Sequence, residues 1–270
     1  MSATALSRTW GAHLKLEFRA EGRRTVLAER AAEGPLVVQK PLYPEGEEVC
    51  HTIVVHPPGG IAGGDDLRLD VKAGAHAAAV LTTPGAGKWY RSAGPWARQK
   101  LRFDVAGTLE WLPRETIVFD GALALLECEV RLTSAARYLG WEIVCLGRSG
   151  SGERFARGKL LLDNRFMRDG KPLWFERGEV EGAGALMRSP VGLAGKAVFG
   201  TMIAAAPGFD STLVNQTRKV AATTALPGLV IARYLGDSTE EAFDRFRSLW
   251  SLLRPAVSGR AAVEPRIWST

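Results

Sequence analysis

The stretch that decides the reading runs from His56 to Ser92, HPPGGIAGGDDLRLDVKAGAHAAAVLTTPGAGKWYRS. Pro57-Pro58, two Gly-Gly pairs, Asp65-Asp66 and Thr82-Thr83-Pro84-Gly85 punctuate it so closely that no long helix fits inside. Between the turns, Leu67 to Val71 alternates apolar and polar, and an Ala-rich run ends in Val80 and Leu81. These are short strands joined by tight, specified turns. The glycines read as suppliers of positive φ.

Two nucleotide-binding readings of the stretch fail. A phosphate-cradling loop needs Gly, four residues, Gly-Lys and then Ser or Thr. Gly87-Lys88 supplies the middle, but Thr82 stands where the first Gly belongs and Trp89 where the metal-binding hydroxyl belongs. Gly59-Gly60-Ile61-Ala62-Gly63-Gly64 also lacks the dinucleotide spacing, and no helix follows it.

What the stretch does resemble is the urease accessory protein D family (UreD, also called UreH). The matching blocks are Cys50-His51, His56-Pro57-Pro58-Gly59-Gly60-Ile61 with Gly64-Asp65, and Leu81-Thr82-Thr83-Pro84-Gly85-Ala86 with Lys88 and Tyr90-Arg91-Ser92. Gly34-Pro35-Leu36 and Tyr43-Pro44-Glu45-Gly46 precede them; Leu112-Pro113-Arg114-Glu115, Gly140-Trp141-Glu142-Ile143 and Pro265-Arg266-Ile267-Trp268 follow in family order. The resemblance implies an irregular β-helix-like or layered β architecture. It also implies a non-enzymatic role in a GTP-dependent complex, with accessory proteins F and G, that inserts nickel into apo-urease. The GTPase activity would come from a partner, and no tightly bound cofactor is expected.

Composition sets outer bounds. Hydrophobic residues at 46% with 24% charged suit a globular protein of 270 residues with a real core. No run approaches the roughly 18 uninterrupted apolar residues of a membrane span. Lone Arg8 has no apolar block behind it, so no secretory signal is expected. Three cysteines, at 50, 128 and 145, suggest no disulfide framework. A reduced, cytoplasmic protein of a single domain over residues 1–270 is expected, because no linker of distinct composition divides the chain. The net charge of +6 invites the rival reading of a basic nucleic-acid-binding β-protein, but the Arg residues are scattered among Asp and Glu without a basic run. Such a surface suits acidic protein partners as well.

Along the chain, His13 to Phe18 alternates as a half-buried strand, and Thr25 to Ala28, Leu36 to Gln39 and Val49 to Val55 continue the series. Leu101 to Val105, Leu109 to Leu112, Ile117 to Phe119, Ala124 to Leu132, Tyr138 to Leu146, Lys159 to Leu162, Leu173 to Phe175, Val198 to Ala204, Val220 to Leu226 and Leu229 to Leu235 follow. Spacing of about ten residues with Gly or Pro between marks a mainly β chain. One helix is clear: Ser238 caps it, Glu241 completes the capping box, Ala242 to Leu253 recur at helical spacing, and Pro255 is expected to stop it. Short helices at Thr133 to Ala136 and Thr212 to Thr217 are further expectations.

Candidate chemistry is sparse. On a strand, Cys50 and His56 lie on one face about 20 Å apart while His51 points to the other, so the three cannot share a metal. No nucleophile elbow exists; Gly150-Ser151-Gly152 is too short. Acidic residues in apolar surroundings say more: Glu115 after Leu112-Pro113-Arg114, Glu142 between Trp141 and Ile143, and Glu176 after Trp174-Phe175. A buried carboxylate is costly unless paired or facing a cation. Arg114, Arg148 and Arg177 are the obvious ion-pair partners. The other reading, which follows from the resemblance, is that Glu115, Glu142 and Glu176 line a route for transient nickel, which accepts N and O ligands. Far-UV circular dichroism should show strand signal well above helix signal; a spectrum with more helix than strand would contradict the fold class.

Overall fold

The alternation at His13 to Phe18 runs further in both directions. Strand β1 (Gly11–Glu21) buries Ala12, Leu14, Leu16 and Phe18 on one face and forms a hairpin with β2 (Arg24–Glu33). The protein is seen here as a computed structural model, which describes residues 10–269. After the short β3 (Val37–Val38), the chain crosses back and forth between two sheets. β4 (Val49–Val55) lies in one sheet, β5 (Asp66–Ala73) in the other, and β6 (Ala78–Thr82) returns to the first. Short β7 (Gly87–Trp89) leads to β8 (Ala97–Val105) and β9 (Thr108–Leu112). Then β10 (Thr116–Val118) leads to β11 (Leu123–Leu132), β12 (Arg137–Leu146) and β13 (Lys159–Arg168).

Each turn of this coil lays a strand parallel to the previous one. The first sheet reads β14-β13-β11-β8-β5-β1-β2, parallel from β1 to β13. The second holds β4, β6, β9 and β12 in parallel, then closes with antiparallel strands. Antiparallel closure comes from β14 (Lys171–Glu181) on β13, and from β15 (Val198–Ala205), β16 (Ala222–Leu226) and β17 (Leu229–Gly236) beside β12. Successive strands of the first sheet start at Asp66, Ala97, Leu123 and Lys159, so unequal turns hide the coil from any sequence-repeat search.

The central strands of the second sheet are buried on both sides, which explains why β12 reads as a nearly continuous apolar run. Tyr138, Val144 and Leu146 face the first sheet; Leu139, Trp141, Ile143 and Cys145 face a helical layer. That layer holds α2 (Ser211–Val220) and α3 (Thr239–Ser258), while a single turn, α1 (Ala185–Arg188), packs beside β14. Trp268 packs against Phe243, Trp250 and Trp141 with ring centroids 5.1–5.9 Å apart, and its indole N–H donates to Thr82 Oγ1 at 2.9 Å. The outer face of the first sheet is charged but sign-alternating. Arg98 pairs with Glu127 at 2.6 Å, Lys72 with Glu17 at 3.3 Å and Arg102 with Glu129 at 3.5 Å. No helix among the described residues is long and apolar enough to cross a membrane.

Several local expectations need correction. Pro255 does not stop α3, which runs one turn beyond it to Ser258 and ends at Gly259 with φ +72°. Pro255 is exposed, so water can serve the carbonyl its missing N–H abandons, while buried Arg254 and Val257 hold the last turn. Thr133 to Ala136 is a turn, closed by Ala136 N–H donating to Thr133 O at 3.1 Å. Thr212 to Thr217 is helical, inside α2, capped by Asp210. Val220 ends that helix, and only Val37–Val38 of the Leu36 to Gln39 run is strand. Of the Gly-Gly pairs, Gly59 and Gly64 have positive φ, but Gly60 and Gly63 serve close approach. A Cβ on Gly60 would meet the Tyr90 ring at 2.1 Å, and one on Gly63 would meet Ser92 Oγ at 2.3 Å.

One buried ionic cluster fastens the helical layer. Arg254 of α3 is 0% exposed and meets Glu110 at 2.9 Å and Glu45 at 2.7 Å, with Glu110 2% and Glu45 4% exposed. Trp250 Nε1 donates to Glu110 at 2.6 Å, and Glu45 also meets His51 at 2.6 Å. Burial pushes the Glu110 carboxyl up against the pull of Arg254 and the indole N–H. Burial acts the same way on Glu45, but His51 and Arg254 outweigh it and hold that carboxyl low. Arg254→Met strands two buried carboxylates and should cost about 3–5 kcal/mol in urea denaturation followed by tryptophan fluorescence. Glu110→Gln, which keeps an acceptor for Trp250, should cost less. An unshifted midpoint for Arg254→Met would contradict the clamp.

Candidate functional site: a polar seam between the two sheets

The space between the sheets is mostly apolar, and one row of polar residues crosses it. In the first sheet, register aligns Cys128 of β11 with Asn164 of β13 and Glu176 of β14. In the second, it aligns Glu142 of β12 with Thr201 of β15 and Arg233 of β17. Strand periodicity puts all six on the interior face, because their i±2 neighbours Val130, Phe166, Val144, Ile203 and Ile231 belong to the inter-sheet core and Trp174, two before Glu176, packs against it. The sequence thus builds a polar seam from single polar residues at inward positions of six strands.

Three adjoining cavities follow this seam. One of about 290 Å³ lies under the turns at 56–61 and 84–88 and is lined by His56, Thr83, Lys88 and Gln99. It shares Thr83, Gly87, Gln99, Leu101 and Trp111 with a narrower one of about 100 Å³, which holds Cys128, Glu142, Asn164 and Thr201. Glu142, Asn164 and Thr201 also line a third, of about 270 Å³, that reaches Glu176 and Arg233. The turns of the His56–Ser92 stretch therefore roof one end of the row, and the β14/β17 margin frames the other.

Electrostatics differ sharply along it. By accessible area Glu142 is half-buried, but that area is cavity wall, so its carboxyl sits deep in the protein. It makes no ion pair or hydrogen bond among the described residues. Burial, and then the charge of Glu176, push it from 4.5 to about 7. Burial, then Glu142 and Glu129, push the Cys128 thiol up. Glu176 is paired: Arg233 Nη2 meets its Oε1 at 2.6 Å, Nη1 donates to Thr201 Oγ1, and the guanidinium lies 5.6 Å from the Trp174 ring centroid. Burial lowers His56, partly offset by Asp65.

The structure brings Glu142 and Glu176 to one cavity but leaves Glu115 out of all three, with Arg114 at 3.5 Å from it. Two expected ion pairs are exchanged for others. Arg148 meets Glu153 at 3.1 Å rather than Glu142, and Arg177 meets Asp163 at 3.1 Å rather than Glu176. Strand geometry forbids the expected Glu176–Arg177 pair, since neighbours in sequence point to opposite faces. Cys50 and His51 do face opposite ways, into the inter-sheet core and towards Glu45. Sequence reasoning missed Asn164, Thr201 and Arg233, although Arg233 is the lone charge in the apolar run Leu229 to Leu235. No group of three His, Cys, Asp or Glu among the described residues is arranged to hold a metal. Oxygen donors spread along a cavity suit passage of a divalent cation rather than its retention.

Comparison with known proteins gives a consistent result. The family described as "UreD urease accessory protein" matches residues 11–269. The protein named urease accessory protein UreD in Azoarcus sp. (strain BH72) is 53% identical over 269 residues, covering 97% of this chain and 94% of its own. Its namesake in Dechloromonas aromatica is 51% identical over 276 residues, covering 98% and 96%. That of Pseudomonas aeruginosa PAO1 is 48% identical, covering 97% and 95%. A match of this extent places the chain in the UreD family of urease accessory proteins.

Proposed function

We propose that the chain is a urease maturation factor, a non-catalytic scaffold of the cytoplasm that joins apo-urease to accessory proteins F and G. GTP hydrolysis belongs to a partner, and nickel is cargo that passes between the two sheets of this chain. The observation that carries the transit reading is the polar seam, with the unpaired carboxyl of Glu142 at the junction of two cavities. Family membership supports the maturation role. The sign-alternating outer face of the first sheet favours protein partners over a nucleic-acid backbone, which calls for an unbroken basic stripe.

Glu142 suits a relay. Near neutral pH its carboxyl is close to half ionised, so an arriving dication displaces a proton at small cost. Asn164 and Thr201 offer neutral oxygens beside it, and Glu176 offers the next carboxylate. None of these closes a coordination shell, so the cation is passed on.

Glu142→Gln with Glu176→Gln keeps shape but removes the charge that attracts the metal. Urease activated by that double variant should contain less nickel per active site, normalised to intact complex recovered. Undiminished nickel would retire the transit role of these residues. Stability supplies an independent check. The Glu142 carboxyl is raised in the folded chain, so its burial penalty is absent below about pH 4.5 and complete above about pH 7. Glu142→Gln should therefore match the wild type near pH 4 and exceed it by up to about 3 kcal/mol at pH 8. Equal stability at both pH values would show that Glu142 is solvated.

A further inference from the structure

The seam contains one fixed cation of its own. Arg233 rises from β17 of the second sheet and reaches Glu176 on β14 of the first, spanning the cavity margin. Its other amino group is held by Thr201, the residue in register with Glu142. Unlike the enclosed Arg254, this guanidinium is 42% exposed and its partner 28% exposed. An ion pair this open is weakly held, so a dication can outcompete it. The guanidinium already lies 5.6 Å from the Trp174 ring centroid, a contact that does not depend on Glu176.

We propose that Arg233 is a displaceable plug: it occupies the Glu176 carboxylate when no metal is there, and a divalent cation takes its place. This rests on the transit reading above and adds a specificity element to it. A monovalent ion gains too little from Glu176 to dislodge a guanidinium, whereas a dication gains twice the charge interaction. Arg233 thus biases the margin against sodium and potassium and keeps Glu176 occupied between passages.

The test is nickel(II) binding to the purified full-length chain by equilibrium dialysis, with thermal denaturation alongside. Arg233→Gln removes the competitor and should tighten nickel binding about three- to tenfold. The gain should vanish in Arg233→Gln/Glu176→Gln. Arg233→Lys, which retains the charge, should stay within about twofold of wild type. A staple that merely joins the sheets would instead lower the melting temperature and leave nickel affinity unchanged, which overturns the plug. If wild-type binding depends on Glu142 while Arg233→Gln leaves it unaltered, the plug fails and the path stands. If neither protein takes up nickel in a manner dependent on Glu142 or Glu176, path and plug fail together.

Discussion

Arg254 cannot be buried alone, and that constraint organises the outer half of the molecule. Its guanidinium is enclosed, so α3 can seat on the second sheet only when Glu110 of β9 and Glu45 of the preceding loop are there to meet it. That requirement fixes α3 in rotation and along its axis. The fixed helix then presents Phe243, Phe246, Trp250 and Leu253 to Trp141, Ile143 and Cys145. Trp268 closes the remaining gap. The central strands of the second sheet are consequently buried on both faces and carry apolar residues at successive positions.

The inter-sheet layer treats charge in the opposite way. Glu110 and Glu142 each lie between apolar neighbours on adjacent strands of one sheet, yet one faces the helices and the other the cavity. Glu110 is satisfied by Arg254 and Trp250, and the Glu142 carboxyl by no partner among the described residues. A well-packed interior tolerates an unpaired carboxyl only by raising its proton affinity or by meeting a cation. Burial drives Glu142 towards the first, and the second is what cargo nickel would supply. Glu176, a short step along the same row, already has a cation in Arg233. The cluster under α3 is thus a fixed joint, and the seam is where the proposed exchange of charge would take place.

The β class and most strand positions were legible because Gly and Pro punctuate the chain and alternation is strong, as at His13–Phe18 and Leu101–Val105. The two-sheet coil was hidden, since its turns differ in length and each strand pairs with one a full turn away. Parallel neighbours of that kind leave no local signature. Glu142 and Glu176 stood out through their apolar neighbours, but Glu110, in the same setting between Leu109 and Trp111, was passed over. Charge partners were misassigned where proximity in sequence replaced strand geometry. Arg233 is 57 residues from Glu176 and reaches it only across the layer. Pro255 misled because a helix tolerates proline where the lost hydrogen bond faces water.

The central claim is that nickel travels between the two sheets. Anomalous X-ray scattering at the nickel edge, from crystals soaked in nickel salt, tests it most directly. The account predicts a partly occupied peak inside the layer, beside Glu142, Asn164 and Glu176. Nickel confined to the outer faces, with none between the sheets at any soaking concentration, would contradict it.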